Sequence, residues 1–113
     1  MSIVQNLKYS CKDKYLLAER YYAILSAAND LKLTQRELQL IAYTAIHGNM
    51  SYGSYREEFC KKYNTTAPTI NNIISKLKRM GILVKEKGKI KVLPLLILKF
   101  EENLQLNIKL ING

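Results

Sequence analysis

Cysteine is scarce in this sequence: Cys11 and Cys60 are the two in 113 residues. Two thiols cannot make a disulfide scaffold, and they lie far apart, Cys11 just ahead of the first predicted helix and Cys60 in the third, so both read as free thiols packed like small apolar groups. Histidine is scarcer still, with His47 alone, and no C-x-x-C occurs. A zinc site needs about four closely spaced ligands, so no metal is expected. The chain also lacks a Gly-rich phosphate loop and a G-x-S-x-G turn. No catalytic residue and no cofactor is therefore expected, and the protein does not read as an enzyme. Acids are few, nine against eighteen Lys and Arg, for a net charge of +9. No uninterrupted apolar run marks residues 1–17, so neither a signal peptide nor a membrane partner is expected, and a cytoplasmic location is.

What remains is a globular composition, 48% apolar and 24% charged. A chain of this length has room for one core that buries roughly two thirds of its unfolded surface, so 1–113 reads as a single domain. No internal repeat or low-complexity linker divides it. Ser10-x-x-Asp13 is a candidate capping box, and Leu17, Tyr21, Ile24, Ala28 and Leu31 keep helical period after it, which predicts a helix over 12–31. Thr34-x-x-Glu37 opens a second helical pattern through Leu38, Ile41, Ala42, Ala45 and Ile46, closed by Gly48 with His47 at the carbonyl end. Ser54-x-x-Glu57 is a third box, predicting a short helix to Tyr63 with Phe59 and Cys60 inward.

The stretch 61–83, KKYNTTAPTINNIISKLKRMGIL, is the most informative. Thr66 is a good N-cap, Pro68 is tolerated in a first turn, and Gly81 stops the pattern, which predicts a helix over 67–80. Ile70, Ile73, Ile74 and Leu77 form its inner stripe. Thr69, Asn71, Asn72, Ser75, Lys76, Lys78 and Arg79 are left for water or a ligand. Charge is concentrated here as well: residues 61–91 hold nine Lys and Arg against the single acid Glu86. Such a concentration points to a polyanionic partner.

After Gly81 the period changes from 3.6 to 2. A three-residue loop Glu86-Lys87-Gly88 is expected, with Val84 opposite Ile90 and Ile82 opposite Val92, so that four β-branched residues share one face. That register sets Lys85 across from Lys89 on the other face. Pro94 closes the hairpin, and LLILKFEEN is open between helix and extended chain. Residues 104–111 alternate as a half-buried strand without an obvious local partner, open to the hairpin sheet or to another subunit. Tyr15, Tyr21 and Tyr22 on the first helix suit either the chain's own core or an interface.

Helix, helix, three-residue turn, helix, hairpin: over residues 34–93 this order resembles the winged helix-turn-helix proteins. FCKKYNTTAPTINNIISKLKRMGIL is similar to their second helix, turn and recognition helix, with Asn64-Thr65 where Gly and an aliphatic residue are usual. The fold that the resemblance implies is α+β and mainly helical, a winged helix-turn-helix with an extra N-terminal helix over 12–31 and a C-terminal extension, 94–113, carrying a strand at 104–111. It further implies that Thr66, Ala67, Pro68 and Thr69 approach bases or phosphates of double-stranded DNA. Asn71, Asn72, Ser75 and Lys76 would line the groove wall, with Lys78 and Arg79 near the exit and Lys85, Lys87 and Lys89 on flanking phosphates. Asn can bond bidentately to adenine and Lys can neutralise phosphate, which agrees. The expected function is sequence-specific DNA binding and transcriptional regulation, as a homodimer or higher oligomer through the first helix or strand 104–111. The alternative from another class is a structural or assembly protein of phage virion or adaptor type, which would place the chain in a host cytoplasm.

Overall fold

In the computed structural model, the backbone is described for residues 2–10, 13–93 and 103–111, and side chains for 13–93. The elements run β1 (Ser2–Ser10), α1 (Lys14–Ala28), α2 (Gln35–His47), α3 (Gly53–Tyr63), α4 (Ala67–Arg79), β2 (Leu83–Glu86), β3 (Lys89–Val92) and β4 (Asn103–Ile111). The fold is mainly helical α+β, with two two-stranded sheets, β1–β4 and β2–β3. No helix among the described residues is long and apolar enough to cross a membrane. Cys11 and residues 95–102 of the ambiguous run lie outside the described residues.

Capping chemistry sets most of the helix ends. Asp13 itself caps α1, its carboxylate accepting from the N–H of Tyr15 at 2.9 Å and of Leu16 at 3.4 Å. The expected Ser10 box does not form, because Ser10 pairs with Asn103 at the end of β1, and α1 is shorter than 12–31 at both ends. At α2 the box forms in full: Glu37 N–H donates to Thr34 Oγ1 at 3.2 Å, and Thr34 N–H donates to Glu37 Oε1 at 2.8 Å. Gly48 ends α2 in the left-handed conformation, φ 76°. The third box is not used. Helix α3 starts at Gly53, ahead of Ser54, with Tyr52 as an N-cap that makes no side-chain bond. The loop before it is pinned to β3, since Met50 N–H donates to the Ile90 carbonyl at 2.9 Å and Asn49 Oδ1 accepts from Ile90 N–H at 3.0 Å.

The hairpin differs from the expected one by a register shift. Leu83 pairs with Val92, Val84 with Lys91, Lys85 with Ile90 and Glu86 with Lys89. The loop is therefore Lys87-Gly88, with φ 52° and 78°, a turn whose twist matches that of the strands it joins. Turn geometry outweighs the β-branched alternation. Leu83, Ile90 and Val92 face the core, Val84 is only half-buried on the other side, and Ile82 is buried before β2 begins. Lys89 consequently faces Glu86 rather than Lys85, and the expected like-charge pair does not exist.

One core joins all four helices and this hairpin. Tyr22, Leu40, Phe59, Ile70, Leu77 and Val92 are among its buried members. Each such side chain contributes about 1.5–3 kcal/mol by leaving water. The α1 tyrosines turn into this core. Tyr21 and Tyr22 are buried edge to face at 5.1 Å, while Tyr15 stacks on Tyr43 at 5.6 Å and its hydroxyl lies 2.9 Å from His47 Nε2. Burial lowers the His47 imidazole below its ordinary range, a shift that Glu58 opposes and Lys14 reinforces.

Strand β4 has a partner in its own chain, which the sequence did not reveal. It pairs antiparallel with β1 over nine positions, from Ser2 opposite Ile111 to Ser10 opposite Asn103. The strand itself was expected at 104–111 and is found at Asn103–Ile111.

The turn generates a direct test. Lys87→Asn should stabilise the chain by about 0.5–1 kcal/mol, since Asn tolerates left-handed backbone better than Lys. Gly88→Ala should cost about 1 kcal/mol on backbone strain alone, because an added Cβ would meet nothing within 4 Å. Urea unfolding of both variants checks this. Under the three-residue register, Lys87→Asn would bring no gain.

Candidate nucleic-acid interface

The segment from α3 into α4 is built around a left-handed residue. Asn64, at φ 52°, ends α3, and the Cys60 carbonyl accepts from the N–H of both Asn64 and Thr65. Arg36 on α2 donates to the Tyr63 carbonyl from the side, closing the last turn of α3. Thr66 is the N-cap of α4 in extended conformation, but its hydroxyl does not cap. It lies 3.0 Å from the Thr69 hydroxyl instead. Pro68 sits in the first turn as expected. At the far end Met80 is the C-cap, Gly81 turns left-handed at φ 79°, and Ile82 N–H returns to the Leu77 carbonyl at 3.0 Å. The helix thus spans Ala67–Arg79, one residue short of the expected 67–80.

The expected site residues do not form one uniform face. Ile70, Ile74 and Leu77 are buried and Ile73 is half-buried. At 3.6 residues per turn, Pro68, Asn72, Ser75 and Arg79 lie on the opposite side, and all four are exposed. Asn71 and Lys78 lie on one flank, Thr69 and Lys76 on the other. Both flanks touch the rest of the protein. Asn71 Oδ1 accepts from Arg56 Nη1 at 2.7 Å, and Lys76 Nζ lies 2.7 Å from Glu37 Oε2. Lys76, expected on the groove wall with a free charge, is therefore half-buried and spent on a carboxylate whose side chain is only 6% exposed. Ala67, Thr69, Asn71 and Lys78 are exposed as expected.

Burial alone pushes the Glu37 carboxyl up, but hydrogen bonds from Lys76 and from the Thr34 backbone outweigh it. The net position is below the ordinary carboxylate range. Glu37 is thus bonded both to the N-cap of α2 and to the second half of α4.

The remaining lysines divide by position. Lys85, Lys87 and Lys89 are exposed at the hairpin tip, with Lys87 in the turn itself. Lys62 on α3 sits over the Tyr15 ring, 4.4 Å from its centroid, so its charge is turned toward α1. Lys61 beside it is exposed. Among the described residues, no three His, Cys, Asp or Glu side chains gather as a metal site requires. Arg56 and Arg36 are the residues that sequence reasoning missed. Arg56 also donates from Nε to the Met50 carbonyl at 2.9 Å. Arg56 meets Asn71, and Arg36 meets the Tyr63 carbonyl, across longer stretches of chain, and no local pattern marks either contact.

Comparison with protein-family models, with curated proteins and with solved structures finds no match in any of the three.

Glu37 gives the test of this scaffold. A carboxyl held below its unfolded pKa adds stability that is complete above the unfolded value and is lost as pH falls through the folded one. Glu37→Ala should cost about 1–3 kcal/mol at neutral pH, the sum of a missing cap and a broken, partly buried pair. Glu37→Gln should also flatten the loss of stability as pH falls through and below the ordinary carboxylate range. Urea titrations at several pH values measure both. Equal acid sensitivity of the wild-type chain and Glu37→Gln would remove Glu37 from this role.

Proposed function

We propose that the protein binds double-stranded DNA as a winged helix-turn-helix and regulates transcription, with α4 in the major groove and the β2–β3 hairpin over flanking phosphates. The observation that carries this reading is the outward stripe of α4. Two flanks of the helix are engaged by α2 and α3, and one side is buried. Pro68, Asn72, Ser75 and Arg79 are left on a fourth side that touches nothing else described. A helix held on three sides presents the fourth with little freedom to lose on binding. Its residues also suit DNA. Asn72 and Ser75 can bond base edges, while Arg79 and the neighbouring Lys78 neutralise phosphate. The uncapped N–H groups at the start of α4 favour an anion there. Lys85, Lys87 and Lys89 place three more charges at the hairpin tip. Lys76 then serves the interface by holding α4 on α2.

A second reading has its own observation. The β1–β4 ribbon has two strands and open outer edges, and such a ribbon is marginal in water without a further partner. A second copy pairing there would make the protein a homo-oligomer. Because the α1 tyrosines face the chain's own core, the ribbon is the better oligomer surface of the two expected. Oligomerisation suits a regulator on a palindromic site, and equally an assembly protein that binds no DNA.

Selection from a random-sequence duplex pool over a salt series separates these. The regulator reading predicts enriched, two-fold related sites. Lys78→Ala with Arg79→Ala should lower the slope of log affinity against log salt by about 0.9 for each phosphate no longer neutralised. Binding that is salt-sensitive but blind to sequence indicates packaging or architecture, and no binding at moderate salt leaves the assembly reading.

A further inference from the structure

Asn71 is not a free amide. Its Oδ1 accepts from Arg56 Nη1 at 2.7 Å, and the same guanidinium donates from Nε to the Met50 carbonyl at 2.9 Å. Met50 N–H in turn donates to the Ile90 carbonyl of β3 at 2.9 Å. A hydrogen-bonded route therefore runs from the hairpin through the Met50 peptide and Arg56 to the exposed flank of α4. The guanidinium has no acceptor atom, so only the oxygen of Asn71 can face it. That fixes which way the amide points.

We infer that Arg56 is a positioning residue that turns Asn71 into a donor-only reader, so that the base pair it meets is recognised through an acceptor edge. The inference rests on the DNA-binding reading. An unrestrained Asn pairs with adenine by giving a hydrogen to N7 and taking one from N6. With Arg56 drawing on Oδ1, the taking half is weakened and the NH2 group is left facing outward. Two adjacent acceptors, N7 and O6, are what guanine shows in the major groove. Guanine is then the base Asn71 selects, not the adenine that an isolated Asn suggests. Arg56 also sets the distance between the two DNA-facing parts, since its two bonds join the hairpin-anchored loop to α4.

Selection from random duplexes with the full chain, compared among wild type, Asn71→Ala, Arg56→Ala and Arg56→Lys, tests this. One position should show guanine in wild type and lose it in Asn71→Ala by about 5- to 150-fold, the span of one good bidentate contact. Arg56→Lys keeps the charge but not the rigid fork. It should keep the salt slope of wild type and lose the guanine preference, relaxing it toward adenine. Thermal melting of each variant reports whether it folds, and a folded Arg56→Lys suffices if Arg56→Ala does not fold. Adenine at the Asn71-dependent position, or undiminished guanine in folded Arg56→Lys, overturns the inference and leaves DNA binding standing. Equal weakening on every sequence also overturns it, because Arg56 would then only hold the fold. Wild type that binds no duplex at low salt overturns the DNA reading and the inference together.

Discussion

The Glu37 carboxylate is the contact on which the arrangement of this chain turns. It closes the capping box of α2 with Thr34 and takes the Lys76 ammonium from α4 at 2.7 Å. Burying a carboxylate is costly, and an unpaired one would neutralise or drive the site open. Here its oxygens bond to a backbone N–H and an ammonium, so the cost is offset and α4 is fixed in rotation about its own axis. Arg36, the residue before it, holds the end of α3 through the Tyr63 carbonyl. A single turn of α2 thus positions both helices that flank the Asn64 turn.

That anchoring decides which residues of α4 are available to a partner. A helix free to rotate would expose its whole polar arc. With Lys76 drawn to α2 and Asn71 to Arg56, the stripe through Asn72, Ser75 and Arg79, with Lys78 beside it, is left exposed to solvent. The hairpin is tied to the same body through Met50 and Asn49. Hydrogen bonds therefore link the hairpin to the loop before α3, and that loop to α4.

Features written locally were legible in the sequence. The Thr34 and Glu37 pair, Gly48, Pro68 in a first turn and Gly81 each act within a few residues, and each stands where the pattern placed it. The failures share a different origin. Ser10 and Ser54 have the right neighbours for a box, but distant pairing decides both: β1 takes Ser10, and the Met50 anchor on β3 sets where α3 begins. The hairpin register was missed because Val84 looks a better inward residue than Leu83, whereas the Lys87-Gly88 turn fixes the opposite choice. Strand β1 alternates poorly and finds its partner at the far end of the sequence. Arg56 with Asn71 and Lys76 with Glu37 are side-chain meetings that no periodicity encodes. As a result, the helix, turn and helix of residues 53–79 could be found from sequence, but not which of their polar atoms are already bonded within the chain.

Backbone amide shifts during titration of the labelled chain with a selected duplex test the central claim most directly. At about 0.1 M salt, Asn72, Ser75, Arg79 and the hairpin residues 85–89 should shift together and return as salt screens the contact. The amides around His47 and Tyr15 should stay in place. Shifts confined to β1 and β4, or none at a duplex excess, would contradict the account.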